Sequence, residues 1–496
     1  MTKEKAIIVM VISAIVTVGR PVPLAAEDHR LSLQETVERA RRNSVEAQQA
    51  LTELRAAYWQ YRAHKADLLP EVSLSATLPS YSKQYNAYQT ADGGYTFVRS
   101  NYLEATGTIN ATQRIWLTGG TLSLSSSMDY LRQYGEAGGQ RYMAIPLRLT
   151  LSQQLFGVND VKWARRIEPL RYREAKANYL AATEDVTIRA INLYFNLLLS
   201  KENLTMARQN YDNACRLYDV AKAKREMGII SDNDVLQMRQ NMLQAESSLT
   251  NHQTATNNAR FRLATFLNMG DSIDIDAEVP RLPAVSNVSF PLALQKAVEN
   301  NPLTYRLKRY RLEADYNVAT ARGNRRSVNV YASVGYTGQD RRWRGAYSPL
   351  NEHQRVEVGM SIPLLDWGRR KGRVRMAEYN RETWRNQLEQ QEKTFEQDLF
   401  ILVEQLNNQT RQLRIANEVD SIADRRYDTN VKTFVAGTIS TLELNDAQNS
   451  KDNAHRQRIQ QMYEFWNLYY ELRSITLWDF EKKTNIDADF EALIEK

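Results

Sequence analysis

The feature that most constrains this chain is an internal duplication, because two copies of one structural plan are expected to fold in the same way. Three pairs of segments carry the match, namely residues 43–45 with 300–302, 151–156 with 360–365, and 228–231 with 437–440. In each half they follow one order: a helix, alternating strands, a very long helix, a glycine turn and a returning helix. The sequence therefore predicts two structural repeats, at residues 27–285 and 286–480, and a C-terminal tail at residues 481–496.

The N-terminus has the pattern of an export signal. Lys3 and Lys5 precede an apolar run at residues 6–18. This run has the length of a signal-peptide core and is too short for a transmembrane helix. We therefore predict that residues 1–26 form a signal peptide and that the protein is exported.

Two long segments, residues 160–227 and 368–436, are rich in helix-favouring residues and contain one proline, Pro169. At about 1.5 Å per residue, each helix would reach about 100 Å, which is too long for a compact domain. Leu204, Ala207 and further residues recur at steps of three and four, as in a coiled-coil seam. The sequence therefore predicts one antiparallel helical hairpin per repeat, at about residues 160–268 with its tip at 228–231, and at about 369–478 with its tip at 437–440.

The strand regions, at about residues 70–156 and 328–365, alternate between apolar and small or polar residues. A soluble sandwich gives the same pattern, but after a signal peptide it also suits an outer-membrane barrel. Four to six strands in one chain cannot close such a barrel, and lipid excludes an open edge. Chains would therefore share one barrel.

The first repeat has about fifty more residues in its strand region than the second, and they also alternate. Residues 102–116 and 121–131 predict two strands joined by a tight turn at residues 117–120. With three chains, the barrel has twelve strands with an added hairpin outside its wall, or it has eighteen strands. The sequence leaves this choice open.

Composition excludes several classes of function. The 65 Lys and Arg residues and 58 Asp and Glu residues are scattered, as on solvated helix faces, which argues against a nucleic-acid partner. One cysteine, Cys215, and five separated histidines predict no disulfide and no metal site, and we expect the histidines at the surface. No phosphate loop, HExxH or GxSxG pattern occurs, so we expect neither a cofactor nor an enzyme.

In the duplicated order of these motifs, the chain resembles the TolC family of outer-membrane efflux proteins over roughly residues 31–480. The paired helix openings, the strand exits at residues 154–156 and 363–369, and the two glycine turns carry the resemblance. It implies a mixed α and transmembrane β fold, in which a homotrimer shares an outer-membrane β-barrel continued by a long periplasmic α-helical barrel.

The resemblance also implies a function and partners. The protein would be the passive channel of a tripartite efflux or secretion system in the cell outer membrane, docked to a periplasmic adaptor protein and an inner-membrane pump or exporter. The alternative is a secreted coiled-coil scaffold or tether without channel activity. A scaffold would have similar helices, but it has no use for membrane-facing strands in both repeats.

The resemblance assigns two groups of site residues near the hairpin tips. It places Glu443, Asp446 and Asp234 in acidic rings of a periplasmic gate, and it makes Gly228, Ile229, Ile230, Gly437, Thr438 and Ile439 the adaptor contact. The i,i+3 spacing puts Glu443 and Asp446 on one helix face. Ile439 stands where the family often has a basic residue, so the usual closing salt bridge lacks that partner.

Helix capping is the alternative explanation for two of these acidic residues. Residues 440–443 form a capping-box pattern that includes Glu443, and Asp234 lies in the first turn of a helix. Acidic side chains are favoured at both kinds of position without any gate.

Overall fold

The computed structural model describes residues 29–135, 138–228, 230–269, 275–283, 287–325, 327–361, 365–435, 438–439 and 441–495. The predicted signal peptide lies outside these residues, as do Ile229 and Gly437 of the predicted tips. The chain forms two compact units. The first takes its described residues from 1–48, 185–284 and 408–470, and the second from 49–184, 285–407 and 471–496. Each unit contains pieces of both repeats.

The strands of the described residues are β1 (His29–Leu31), β2 (Glu71–Gln89), β3 (Tyr95–Arg114), β4 (Thr121–Gln133), β5 (Gly139–Leu155), β6 (Ile275–Ala277), β7 (Ser327–Asp340), β8 (Asn351–Ser361), β9 (Trp478–Asp479) and β10 (Thr484–Asn485). The second unit holds a six-stranded antiparallel sheet in the order β2-β3-β4-β5-β7-β8. The two strands predicted in the longer first repeat are β3 and β4. They lie inside this sheet, between β2 and β5.

Side chains of directly paired residues lie on the same face of a sheet, so the register separates two faces. One face is mostly apolar and carries, strand by strand, Val72, Leu74 and Leu78; Leu103 and Ile109; Leu122, Leu124 and Met128; Leu147, Leu149 and Leu151; Val328, Val330 and Val334; and Val356 and Val358. The other face carries Ser73, Ser75 and Thr77; Thr106, Thr108 and Thr112; Ser123, Ser125 and Ser127; Thr150 and Ser152; Asn329 and Ser333; and Arg355 and Glu357. The predicted alternation is therefore present in all six strands.

Three register shifts in the sheet occur beside prolines. The pairing of β2 with β3 shifts between Thr77 and Ser80, beside Pro79, and the pairings of β5 with β4 and with β7 both shift beside Pro146. Proline has no N–H to donate to a ladder, so a bulge is a position where a strand tolerates it. Bulges also bend and twist a strand, as curvature of a sheet requires.

The helices of the described residues are α1 (Leu33–Asn43), α2 (Val45–Ala66), α3 (Asp160–Glu226), α4 (Asp232–Phe266), α5 (Phe290–Asn300), α6 (Pro302–Gly323), α7 (Arg369–Val435), α8 (Thr441–Thr476) and α9 (Phe490–Glu495). The long helices α3 and α7 have 67 residues each, close to the predicted bounds. The returning helices α4 and α8 complete one hairpin per repeat. No helix among the described residues is both long and apolar enough to cross a lipid bilayer.

The matching segments at residues 43–45 and 300–302 serve the same purpose in both repeats, since each ends one helix and starts the next. The Ser44 hydroxyl accepts a hydrogen bond from the Ala47 N–H at 3.2 Å at the start of α2. Asn301 accepts one from the Leu303 N–H at 2.8 Å, with Pro302 at the first position of α6. Both are standard starts of a helix.

In the first unit, a buried tyrosine ties a helix to a short parallel strand pair, β1 with β6. Tyr194 of α3 is fully buried, and its hydroxyl lies 3.0 Å from the Leu31 carbonyl and 2.6 Å from the Glu278 carbonyl. Burial raises the pKa of this tyrosine to about 12. It therefore stays a neutral hydrogen-bonding group that joins the ends of β1 and β6 to α3.

Candidate gate and docking site at the helical tips

The tip of the first hairpin turns at a glycine. Gly228 has φ +73°, and its N–H donates to the Arg225 carbonyl at 2.8 Å. A side chain would meet no heavy atom there, so the left-handed backbone is the reason for glycine. Ile230 is half-buried, less exposed than its place at a tip suggested. Arg225 and Asp232, 2.9 Å apart, join the two helices across the turn.

The described part of the second tip also bonds back to its helix. The N–H and the hydroxyl of Thr438 lie 3.1 Å and 3.0 Å from the Thr433 carbonyl. Thr438 is exposed and Ile439 is half-buried. The backbone at Thr438 is therefore bonded to α7, while the Thr438 side chain stays accessible to a partner.

Asp234 is part of a complete capping box at the start of α4. Its carboxylate accepts hydrogen bonds from the Ser231 N–H at 3.0 Å and the Ser231 hydroxyl at 2.7 Å, and its own N–H donates to that hydroxyl at 3.2 Å. The hydroxyl bond lowers the pKa of Asp234, which therefore keeps its negative charge. The capping alternative is thus realised for this residue.

Glu443 and Asp446 are both exposed on α8, while Leu444 and Ala447 between and beside them are buried. Asp446 lies 2.8 Å from the guanidinium of Arg426 on α7, and both side chains are more than half exposed. This ion pair joins α7 and α8, the two helices of the second hairpin. Ser440, the predicted cap beside Glu443, lies outside the described residues.

The opposite side of α8 faces the first hairpin across a polar cavity of about 280 Å³. Its amide-bearing lining residues are Asn210 and Asn213 of α3, Asn241 and Gln244 of α4, and Asn445, Gln448 and Asn449 of α8. At 100° per residue, Glu443 and Asp446 fall on the side of α8 away from this cavity. Their carboxylates therefore point away from the first hairpin.

His455 of α8 joins three helices. Its imidazole lies 3.4 Å from Glu202 of α3 and 3.5 Å from Asp420 of α7, and Arg458 lies 2.9 Å from Asp420. The hydrogen bond to Glu202 is the main cause that raises the pKa of His455. The ring is half-buried, so this histidine is less exposed than the sequence alone suggests. Among the described residues, no group of His, Cys, Asp and Glu is arranged to hold a metal ion.

Because of His455, we expect the stability of the first unit to depend on pH. A pKa raised above the unfolded value of about 6.5 stabilises the fold below that pH, and the contribution is lost as the pH rises through the raised value. Because the ring is half exposed, we expect at most about 1 kcal/mol. Urea midpoints of wild type should fall between pH 6 and pH 8 more than those of His455→Gln. An equal fall of the urea midpoint in wild type and in His455→Gln contradicts the prediction.

The sequence of the chain matches the family described as "Outer membrane efflux protein" over residues 119–269 and 293–476, more than half of the chain. The chain belongs to this family. The match falls into two segments, one in each repeat, in agreement with the internal duplication. Membership confirms the predicted TolC-like fold class and the location in the cell outer membrane, with the helical part in the periplasm.

Solved structures agree with this fold. The chain is similar to the CmeC outer membrane channel of Campylobacter jejuni, with a TM-score of 0.65 at 16% identity, covering 93% of this chain and 88% of the other. It is similar to the outer membrane protein VceC of Vibrio cholerae, with a TM-score of 0.64 at 14% identity over 92% and 97% of the two chains. A membrane protein from Pseudomonas aeruginosa matches at 0.64, with 15% identity and 92% of each chain covered.

No curated protein matches the sequence. The family and the fold together make this protein an outer-membrane channel component of an efflux system.

Proposed function

We propose that three copies of this chain form a passive conduit from the periplasm to the exterior. The observation that carries the proposal is the six-stranded sheet, in which an apolar face continues from β2 to β8. The outer edges of β2 and β8 have no strand partner among the described residues. In lipid, an unpaired strand edge is excluded, because no water satisfies its N–H and C=O groups. A barrel closed by several copies removes both edges.

The polar face supports a water-filled lumen. In a transmembrane barrel the apolar side chains face lipid, and the alternate residues face the interior. Here those alternate residues are mostly serine, threonine and asparagine, which hydrogen-bond with water. A scaffold or tether has no need of such a two-sided sheet.

The tips are the proposed contact with a periplasmic adaptor protein, which would link the channel to an inner-membrane pump or exporter. The contact residues are Gly228, Ile229, Ile230, Gly437, Thr438 and Ile439. The exposed Thr438 side chain on an anchored turn supports this assignment, as does the open space around Gly228. Both offer a partner close access to a fixed backbone.

Glu443, Asp446 and Asp234 form the proposed gate. Threefold symmetry would place several carboxylates around a narrow opening, where they favour cations and bind multivalent ions. The exposure of Glu443 and Asp446 on the side of α8 away from the first hairpin supports this role. Asp234 would add its charge to the gate while it also caps α4.

A matched pair of variants separates the two roles of Asp234. Ser231→Ala removes the cap and leaves the charge, whereas Asp234→Ala removes both. We expect both variants to lose hydrogen-exchange protection in the first turn of α4, because they break the same box. Only Asp234→Ala should weaken channel block by a trivalent cation such as hexamminecobalt. Equal block in the two variants assigns Asp234 to capping alone.

Planar-bilayer recording tests the proposed conduit. Purified protein should give discrete current steps that are blocked by multivalent cations added on the side of the helical tips. A scaffold predicts no current at any protein concentration. Addition to one side only, with a periplasmic-tip antibody as an orientation marker, links the block to the proposed gate.

A further inference from the structure

We infer that the shared barrel of this protein has eighteen strands, six from each chain. Its outer pore is therefore wider than the pore of a twelve-strand barrel. The inference rests on the proposed trimer and adds the width of its lumen. It concerns β3 and β4, the strand pair present only in the first repeat.

The first support is the pairing of β3 and β4 within the wall. β3 pairs with β2 from Glu71–Thr112 to Gln89–Tyr95, and β4 pairs with β5 from Thr121–Ser152 to Gln133–Gly139. A hairpin outside the wall would leave β2 and β5 to pair with each other. In the sheet they are three strand spacings apart, about 14 Å at about 4.8 Å per spacing.

The second support is that β3 and β4 have the same two faces as their neighbours. Their apolar face includes Leu103 and Ile109 of β3 and Leu124 of β4, in register with Leu74 of β2 and Leu149 of β5. A hairpin that projected into solvent would have no use for an apolar face aligned with the lipid-facing side chains of the wall.

The third support is the turn between β3 and β4, which is bonded to the start of α3. The Asn159 side-chain N–H groups donate to the carbonyls of Trp116 at 2.9 Å and Leu117 at 3.0 Å. Trp116 is 53% exposed in this turn, and Phe156 and Trp367, at the exits of β5 and β8, are 75% and 89% exposed. Exposed aromatic residues at strand ends are typical of the girdle at a membrane interface.

The edges of the sheet fit a second copy of the chain. Leu74 on β2 and Val356 on β8 are 73% and 78% exposed, whereas Leu124 and Leu149 in the middle of the same face are 42% exposed. A strand from a neighbouring copy would reduce the exposed fraction of Leu74 and Val356 to about that of Leu124 and Leu149. Pairing of β8 with β2 of the next copy would continue both faces around the barrel.

Strand number sets the width of the lumen. With a spacing of about 4.8 Å and a tilt of about 40°, eighteen strands give a backbone radius of about 18 Å, against about 12 Å for twelve. The cross-section is then about twice as large. Opposite their apolar face, β3 and β4 add mostly serine and threonine side chains, together with Glu104 and Asp129. The wider outer pore would therefore admit bulky hydrophilic cargo.

Cysteine pairs test the strand order in the assembled protein. In a Cys215→Ser background, L74C with I109C joins β2 to β3, L124C with L149C joins β4 to β5, and L74C with L149C joins β2 to β5. We expect the first two pairs to form disulfides in trimers extracted from outer membranes and the third to remain reduced. Bridging requires Cα atoms within about 7 Å, which β2 and β5 do not reach.

A second measurement determines the width of the outer pore. Polyethylene glycol with a hydrodynamic radius of about 10 Å, added on the external side, should enter the wider barrel and lower the conductance, whereas side chains of a twelve-strand barrel would exclude it. A trimer that forms the β2–β5 disulfide and excludes this polymer overturns the inference and leaves the proposed conduit intact. A monomeric protein overturns both.

Discussion

Replacing Arg473 with methionine is expected to destabilise the second unit by about 3–5 kcal/mol. The Arg473 guanidinium lies 3.3 Å from Glu184 and 3.1 Å from Asp479, and these side chains are 12%, 0% and 9% exposed. Methionine fills much of the same volume but removes the positive charge that faces both buried carboxylates. An uncompensated buried charge is far more costly than a lost surface ion pair.

The matched control for this prediction is an exposed ion pair on the same chain. Arg385 and Glu389 lie 3.1 Å apart on α7 with side chains 76% and 48% exposed, so Arg385→Met should cost less than about 1 kcal/mol. Urea unfolding in detergent compares the two midpoints. Adding Glu184→Gln to Arg473→Met should recover part of the loss, because it removes one of the two buried negative charges. Equal midpoints for Arg473→Met and Arg385→Met contradict the account.

Replacing both Glu443 and Asp446 with alanine is expected to raise conductance and to weaken block by a trivalent cation about tenfold or more. In a trimer the change removes six carboxylates from the proposed opening. Loss of about 1.4 kcal/mol of ion binding corresponds to a tenfold change in affinity. Block constants from single-channel recordings at fixed ionic strength measure the effect, because salt screens exposed charges.

Variants of the ion pair between Arg426 and Asp446 separate the effect of the link between α7 and α8 from the effect of the carboxylates. Arg426→Ala breaks the link between α7 and α8 but keeps the carboxylates, so it should raise conductance and preserve block. The double variant Arg426→Asp/Asp446→Arg keeps an ion pair between α7 and α8 but places the positive charge on α8. This variant should combine low conductance with weak block. If the trivalent cation blocks the double alanine variant, Arg426→Ala and Arg426→Asp/Asp446→Arg as strongly as it blocks wild type, Glu443 and Asp446 do not lie at the narrowest part of the channel.

The sequence predicts the fold closely because its patterns are local and occur twice. The long segments rich in helix-favouring residues give α3 and α7 to within about one residue, and the alternation gives the strands β3 and β4. Their position in the sheet could not be predicted, since two strand orders satisfy the same alternation. That choice depends on pairing between strands, and a periodic pattern carries no information about partners.

The candidate site is only partly predictable for the same reason. The glycine turn at Gly228 and the capping box at Asp234 involve residues within one turn of each other, and both follow from short-range rules. Arg426 reaches Asp446 across 20 residues, and His455 reaches Glu202 across 253. Such contacts depend on how the helices are aligned.

The native mass of the protein extracted from separated outer membranes in mild detergent tests the central claim most directly. The account predicts a protein of the outer-membrane fraction with three copies of the chain, because its six-stranded sheet leaves two edges that only neighbouring copies close. Light scattering with a correction for bound detergent gives the copy number. A monomer or a dimer, or a protein that remains in solution without detergent, contradicts the shared barrel and with it the conduit.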